Sequence, residues 1–520
     1  MSLQNLPPEI LHHVIEESMP EGFENLLLSC RYVYECGKPL IETNKTRKQK
    51  WRRFFLRSNK DYMSSLSRLN QIARNPALAR YIEVAWFGLV YEELKQPTNF
   101  DISPLRNFIT ESPYLRKAGV NTEKWAQTIL FGPQTDFEKF SALLQAFVLT
   151  LLPNVRTVRL TSQMSYSLYP PVENFPQSQN YYPQVWNVLE TIRRNIDANP
   201  QGASLGKLTT LLVSEHLGYS EKFILRSVSA FLALPSLTKL SITNCVATND
   251  DMSSFPFVWH YPNINSNLRY IELDNGCMDA ACVSELLSHT PHLVSFKFLQ
   301  AAKHHGVHYH WNPGAFIEAI GKHLGDHLEE LAVTVDDVYG HLESGVKSLK
   351  AFKKLKSLEL CNNVFCETDQ TIEQEGNTYS KLANDGYVPP LIDMLPPSLE
   401  NFHLFIINNC RKFHINTMRS LLDNFAAGRP RLLPNLKEFG IRCTVWNIQE
   451  SDLDEITSLA ASQGVSWISR KGIQPLWKER REELGDGLDD EESIYEFESD
   501  EPESDNGSDS VHSDDNEADE

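Results

Sequence analysis

The chain has 520 residues, 41% of them apolar, enough for a sizeable core and more than one structural unit, which excludes a wholly disordered protein. Its net charge of −19 sits at one end: residues 485–520 hold 17 Asp and Glu and no Lys or Arg, leaving −2 on residues 1–484. Neither part has the concentrated basic face of a nucleic-acid binder, and the longest largely apolar run, residues 143–152, is too short to span a membrane.

At the N-terminus, Pro7 and Pro8 suit a helix start, where the first N–H groups lack internal partners. Ile10, Leu11, Val14 and Ile15 then share one face at helical spacing. A second apolar stretch holds Phe23, Leu26, Leu27 and Leu28, and a third, shorter one is Tyr32-Val33-Tyr34. Two or three short helices make a poor independent core. Their apolar stripe therefore predicts either a partner or a cap on the rest of the chain.

Leu6-Pro7-x-Glu9-Ile10-Leu11 followed by Leu26-x-Leu28-Ser29-Cys30-Arg31 resembles the F-box, over residues 3–42. With the repeats described below, the chain resembles fungal F-box proteins with degenerate leucine-rich repeats. The resemblance implies docking on a Skp-type adaptor and, through it, a cullin of an SCF-type ubiquitin ligase. It implies adaptor contacts from Leu6, Pro7, Ile10, Leu11 and Val14 on the opening helix, and from Leu26 and Leu28 in the middle segment. Trp51 lies later than the family's closing Trp.

The basic stretch at residues 45–53 reads as the solvated face of a linking helix, with Trp51, Phe54 and Phe55 turned inward. A nuclear localisation signal is the alternative. Residues 80–86 alternate like a strand, and residues 123–128 and 136–152 read as helical.

From there one frame recurs. Its clearest copy is Leu237-x-x-Leu240-x-Ile242-x-x-Cys245, repeated at Leu355/Leu358/Leu360 with Asn363. Seven looser copies begin at Val155, Leu208, Leu268, Leu293, Leu328, Leu399 and Leu436. Apolar residues at positions one, four and six with Asn or Cys at nine describe a strand turning into a convex segment, the leucine-rich-repeat pattern. Such a unit cannot bury its apolar face without stacked neighbours. Helical stretches at 221–234, 279–289 and 452–461 make each repeat strand plus helix. Spacings of 25 to 53 residues exceed the regular repeat in places, so insertions are expected; only Cys245 and Asn363 fill position nine, so curvature is expected to be irregular. The inserts at 162–183, rich in Tyr and Pro, and at 362–390 are candidate binding loops or surface loops folded back on the body.

His304, His305, His308 and His310 have a spacing that can bind zinc, but no Cys or carboxylate joins them locally, so a solvated loop is expected; a hydrolase built on them is a remote alternative. Cys361 and Cys366 read as buried thiols. Nine cysteines without a C-x-x-C pair or secretory signal predict free thiols in a reducing compartment. Asp250-Asp251 and Asp336-Asp337 sit where turn chemistry favours Asp. No nucleotide-binding or hydrolase motif gives a catalytic residue to name. Residues 485–520 are too polar to offset the entropy of ordering and are expected to be disordered, with Ser493, Ser499, Ser504, Ser508, Ser510 and Ser513 among acids.

The expected architecture is α/β. An F-box-like helical module spans 1–45, linker helices and the solenoid's start 46–150, an irregular leucine-rich-repeat solenoid 151–475 and an acidic tail 485–520. The expected function is a substrate-recognition adaptor without catalytic residues, cofactor or metal, acting in the cytoplasm or nucleus. It binds the Skp-type adaptor and an unknown protein substrate, and neither nucleic acid nor membrane. The alternative is a non-ligase repeat scaffold.

Overall fold

The computed structural model describes residues 3–56, 59–88, 101–131, 137–161, 164–171, 182–200, 202–213, 222–250, 254–303, 309–336, 340–374, 377–382, 387–406, 415–444, 450–470 and 473–484. It divides into two units, Met1–Pro475 and Leu476–Glu520, the second described only through its helix Leu476–Leu484.

The first unit opens with α1 (Pro8–Glu17), α2 (Phe23–Leu27), α3 (Arg31–Gly37) and α4 (Leu40–Trp51). α1 turns Leu11 and Ile15 inward, α2 Phe23 and Leu27, α3 Val33. Gly37 ends α3 where a Cβ would overlap the end of the Leu27 side chain, so any larger residue there would force Leu27 to move. The basic stretch lies on α4 and β1. Lys48 pairs with Glu24 at 2.5 Å and Arg47 with Glu16 at 3.9 Å, clamping this helix to α1 and α2.

Sixteen strands are described: β1 (Arg53–Leu56), β2 (Val84–Phe87), β3 (Thr157–Leu160), β4 (Thr210–Val213), β5 (Phe223–Ile224), β6 (Lys239–Thr243), β7 (Cys245–Ala247), β8 (Tyr270–Met278), β9 (Ser295–Gln300), β10 (Glu330–Val335), β11 (Ser357–Cys361), β12 (Thr368–Gln374), β13 (Asn377–Leu382), β14 (Asn401–Ile406), β15 (Glu438–Thr444) and β16 (Ser466–Arg470). Fourteen form one sheet. Twelve run in the order β1-β2-β3-β4-β6-β8-β9-β10-β11-β14-β15-β16, with β5 and β7 off this path. Neighbours pair in parallel, which demands a crossover between each pair. Helices Pro183–Ala198, Ala280–Ser288 and Pro313–Leu324 supply three of them. The sheet advances in chain order without reversal and does not close. This is the mixed α/β class that was expected, and its topology is consistent with an α/β solenoid.

The register stacks two inward ladders. One runs from Phe54 and Ala85 through Leu240, Ile271 and Phe296 to Phe402 and Phe439. The other runs from Leu160 through Ile242 and Phe298 to Leu404, Ile441 and Trp467. The fourth and sixth positions of all nine sequence frames fall in these ladders. The first positions are buried just ahead of the strands. Alternation inward and outward, as in β6, is what a strand with one packed face produces.

Four expectations need amending. Residues 221–234 do not form one helix: strand β5 (Phe223–Ile224) is followed by a 3-10 turn, Leu225–Val228, and a single helical turn, Ser229–Leu232. Residues 53–56 are strand, not helix: pairing with β2 turns Phe54 inward and leaves Phe55 on the opposite face, edge-on to Trp86 at 6.0 Å between ring centroids. Strand β16 extends the sheet beyond the last frame. Within the insert at 362–390, β12 and β13 form an antiparallel hairpin apart from the main sheet.

Candidate interaction surfaces

The apolar face of α1 is only half covered. Leu11 and Ile15 are fully buried in the core, while Ile10 (52%) and Val14 (37%), one turn apart, are exposed, with Pro7 exposed just ahead of them. An amphipathic helix in a finished domain buries its apolar stripe; here the edge formed by Ile10 and Val14 faces water and lacks a burial partner. Of the residues assigned to the adaptor, Ile10, Val14, Pro7 and Leu28 (81%) are exposed, and Leu6 and Leu26 are half-buried. Leu11 is buried and holds α1 in place rather than presenting itself. Tyr32 and Tyr34 are also exposed. The Tyr32 hydroxyl points to the Leu6 carbonyl at 3.5 Å, which puts α3 beside the chain entering α1. These tyrosines went unassigned, although their alternation about buried Val33 was visible.

The module is tied to the sheet by polar bonds. Glu21 accepts from Arg80 at 2.6 Å and from Asn154 at 2.5 Å, and the same Asn154 amide donates to the Arg80 carbonyl at 2.5 Å. Burial works against ionisation of Glu21, yet the bonds from Arg80 and Asn154 outweigh it and hold its carboxyl below the usual range. The buried Asn44 of α4 accepts from the Tyr81 hydroxyl at 2.9 Å.

The second surface is the sheet face opposite the core. Glu272 lies between Lys239 at 3.2 Å and Lys297 at 3.7 Å, and Lys297 reaches Glu330 at 3.7 Å. Ionic contacts thus cross β6, β8, β9 and β10. Toward the N-terminal edge the Arg159 guanidinium lies 4.1 Å from the Trp86 ring centroid. Toward the other edge His403 approaches Glu438 at 3.8 Å. No protein-family model and no curated protein matches this chain.

The remaining candidates have simple placements. His304, His305 and His308 lie outside the described residues. His310 stacks on His341 with centroids 4.8 Å apart and accepts its backbone N–H at 3.1 Å. Among the described residues no three His, Cys, Asp or Glu side chains are placed to hold a metal ion. Cys361 and Cys366 are buried. Asp250 receives Lys303 on both oxygens at 2.8 Å, and Lys303 itself is buried, a pairing 53 residues apart that spacing alone did not signal. Asp251, Asp337 and much of the insert at 162–183 lie outside the described residues, although Tyr169 within it is buried. Among the described residues no helix is long and apolar enough to cross a membrane.

Proposed function

We propose that the chain is the substrate-recognition subunit of an SCF-type cullin-RING ubiquitin ligase. Residues 1–45 act as an F-box that docks a Skp-type adaptor, and the repeats behind it hold a protein substrate in the cytoplasm or nucleus. The observation that carries this reading is the uncovered half of the apolar face of α1, where Ile10 and Val14 face solvent beside the packed Leu11 and Ile15. The F-box-like residues Leu6, Pro7 and Leu28 supply the rest of an apolar contact set. The polar ties at Glu21, Asn44 and Asn154 transmit the module's position to the sheet. The chain then works by proximity: it presents a substrate lysine, and other subunits perform the transfer.

Co-purification with a Skp-type adaptor tests this. The wild-type chain should recover adaptor stoichiometrically, and Leu6→Ala/Pro7→Ala should lose it. Absence of adaptor from both preparations would reject the reading.

The same polar ties favour a second reading, in which the helices cap the sheet's first strand in a scaffold that engages no ligase. It predicts no adaptor with either protein.

A further inference from the structure

The strand starts on the sheet's N-terminal half form a basic, hydroxyl-bearing strip. The Arg156 carbonyl accepts from Thr209 and Thr210, that of Thr209 from Thr238 and Lys239, and that of Thr238 from Arg269 and Tyr270, so these residues lie side by side where the chain enters β3, β4, β6 and β8. With Thr157 they fill eight strand-start positions that carry three cations and no acid. Arg156, Thr209, Arg269 and Tyr270 are exposed, Tyr270 to 42%. The acids begin at the margins, where Glu83 pairs with Arg52 at 3.2 Å on one side and Glu329 with Lys356 at 2.7 Å on the other. Among the described residues Lys239 pairs with Glu272, one row further along the strands, and Arg269 acts at longer range on Glu329.

We propose that this strip binds an extended, Asp/Glu-rich segment of a protein partner, a proposal that deepens the substrate-holding role above and rests on the sheet being a partner-binding face. Arg156 and Arg269 are three strand steps apart, about 14 Å at the usual interstrand spacing. That distance exceeds what one anionic group bridges and matches about four residues of extended chain. Tyr270, next to Arg269 at the start of β8, adds an aromatic contact at that end of the strip. A nucleic acid is a poor match, since its phosphate backbone would run past the strip onto the acids at both margins, Glu83 and Glu329.

Fluorescence anisotropy of a labelled peptide of about eight Asp and Glu residues, titrated with the full chain at low salt, reads the inference directly. The wild type should bind and weaken steadily as salt rises. Arg156→Glu/Arg269→Glu, exposed positions whose reversal should leave thermal melting unchanged, should bind at least about tenfold more weakly. The control Lys437→Glu, reversing a charge near the opposite edge, should stay within about twofold. No binding by wild type, equal binding of an Asn/Gln peptide, or equal loss in the control would overturn the proposal. Adaptor recovery separates it from the ligase reading: peptide binding without adaptor rejects the ligase and leaves the strip, and adaptor without peptide binding does the reverse.

Discussion

At the scale of single residues, Glu21 couples the helical module to the sheet through Arg80 and Asn154. Its folded pKa lies below the ordinary 4.5 despite the opposing effect of burial, because Arg80 and Asn154 donate to the carboxylate. A depressed folded pKa means that the unfolded chain binds the proton more tightly. The contribution is therefore complete above 4.5 and is lost as pH falls through the lower folded value. Glu21→Gln should lower the melting temperature at neutral pH, and the gap to wild type should shrink as the medium is acidified through that window. A gap that stays constant with pH would show that the charge contributes nothing. The thiols give a second residue-level prediction. Burial pushes Cys245 and Cys277 up to about 12, so at neutral pH almost no thiolate forms there. Alkylation of the native protein, followed by mass spectrometry, should label the half-buried Cys30 and Cys36 well before Cys245 and Cys277. Equal labelling would mean that the sheet opens readily.

At the scale of elements, the sheet stands on its inward ladders. Leu240→Ala removes a fully buried side chain between Leu211 and Ile271 and should cost about 2–5 kcal/mol in denaturant unfolding. Ser241→Ala, on the opposite face of the same strand, should stay within about 0.5 kcal/mol. Similar losses at both positions would contradict the one-sided packing. The nine frames were legible because apolar residues two apart mark a strand with one buried face, and each frame's later positions entered the ladders. β1 was not legible. Trp51, Phe54 and Phe55 also fit a helical spacing, and only pairing with β2, about thirty residues away, decides between the two. β16 escaped because Ser466-Trp467-Ile468-Ser469-Arg470 is short and stands alone, its strand character supplied by β15. The Lys303–Asp250 pair escaped for the same reason, since it depends on contacts between distant segments.

At the scale of the first unit, the helical module and the sheet share one core, from Leu11 through Trp51 and Tyr81 to the ladders. The helix α1 and its apolar character were readable from the Leu-Pro-x-Glu-Ile-Leu opening. Which apolar residues remain outside was not readable: Leu11 and Ile10 are neighbours in sequence, and only the packing of α2 and α3 sends one inward and the other to solvent. The proposed division of labour places the adaptor on the module and the substrate on the repeats. Changes at Ile10 should therefore affect adaptor binding alone. Calorimetric titration of the full chain with a purified Skp-type adaptor tests this most directly. Wild type should bind one adaptor per chain, and Ile10→Asp, with an unchanged melting temperature, should abolish the heat of binding. Undiminished binding by Ile10→Asp, or no binding by the wild-type chain, would contradict the assignment of this surface to the adaptor.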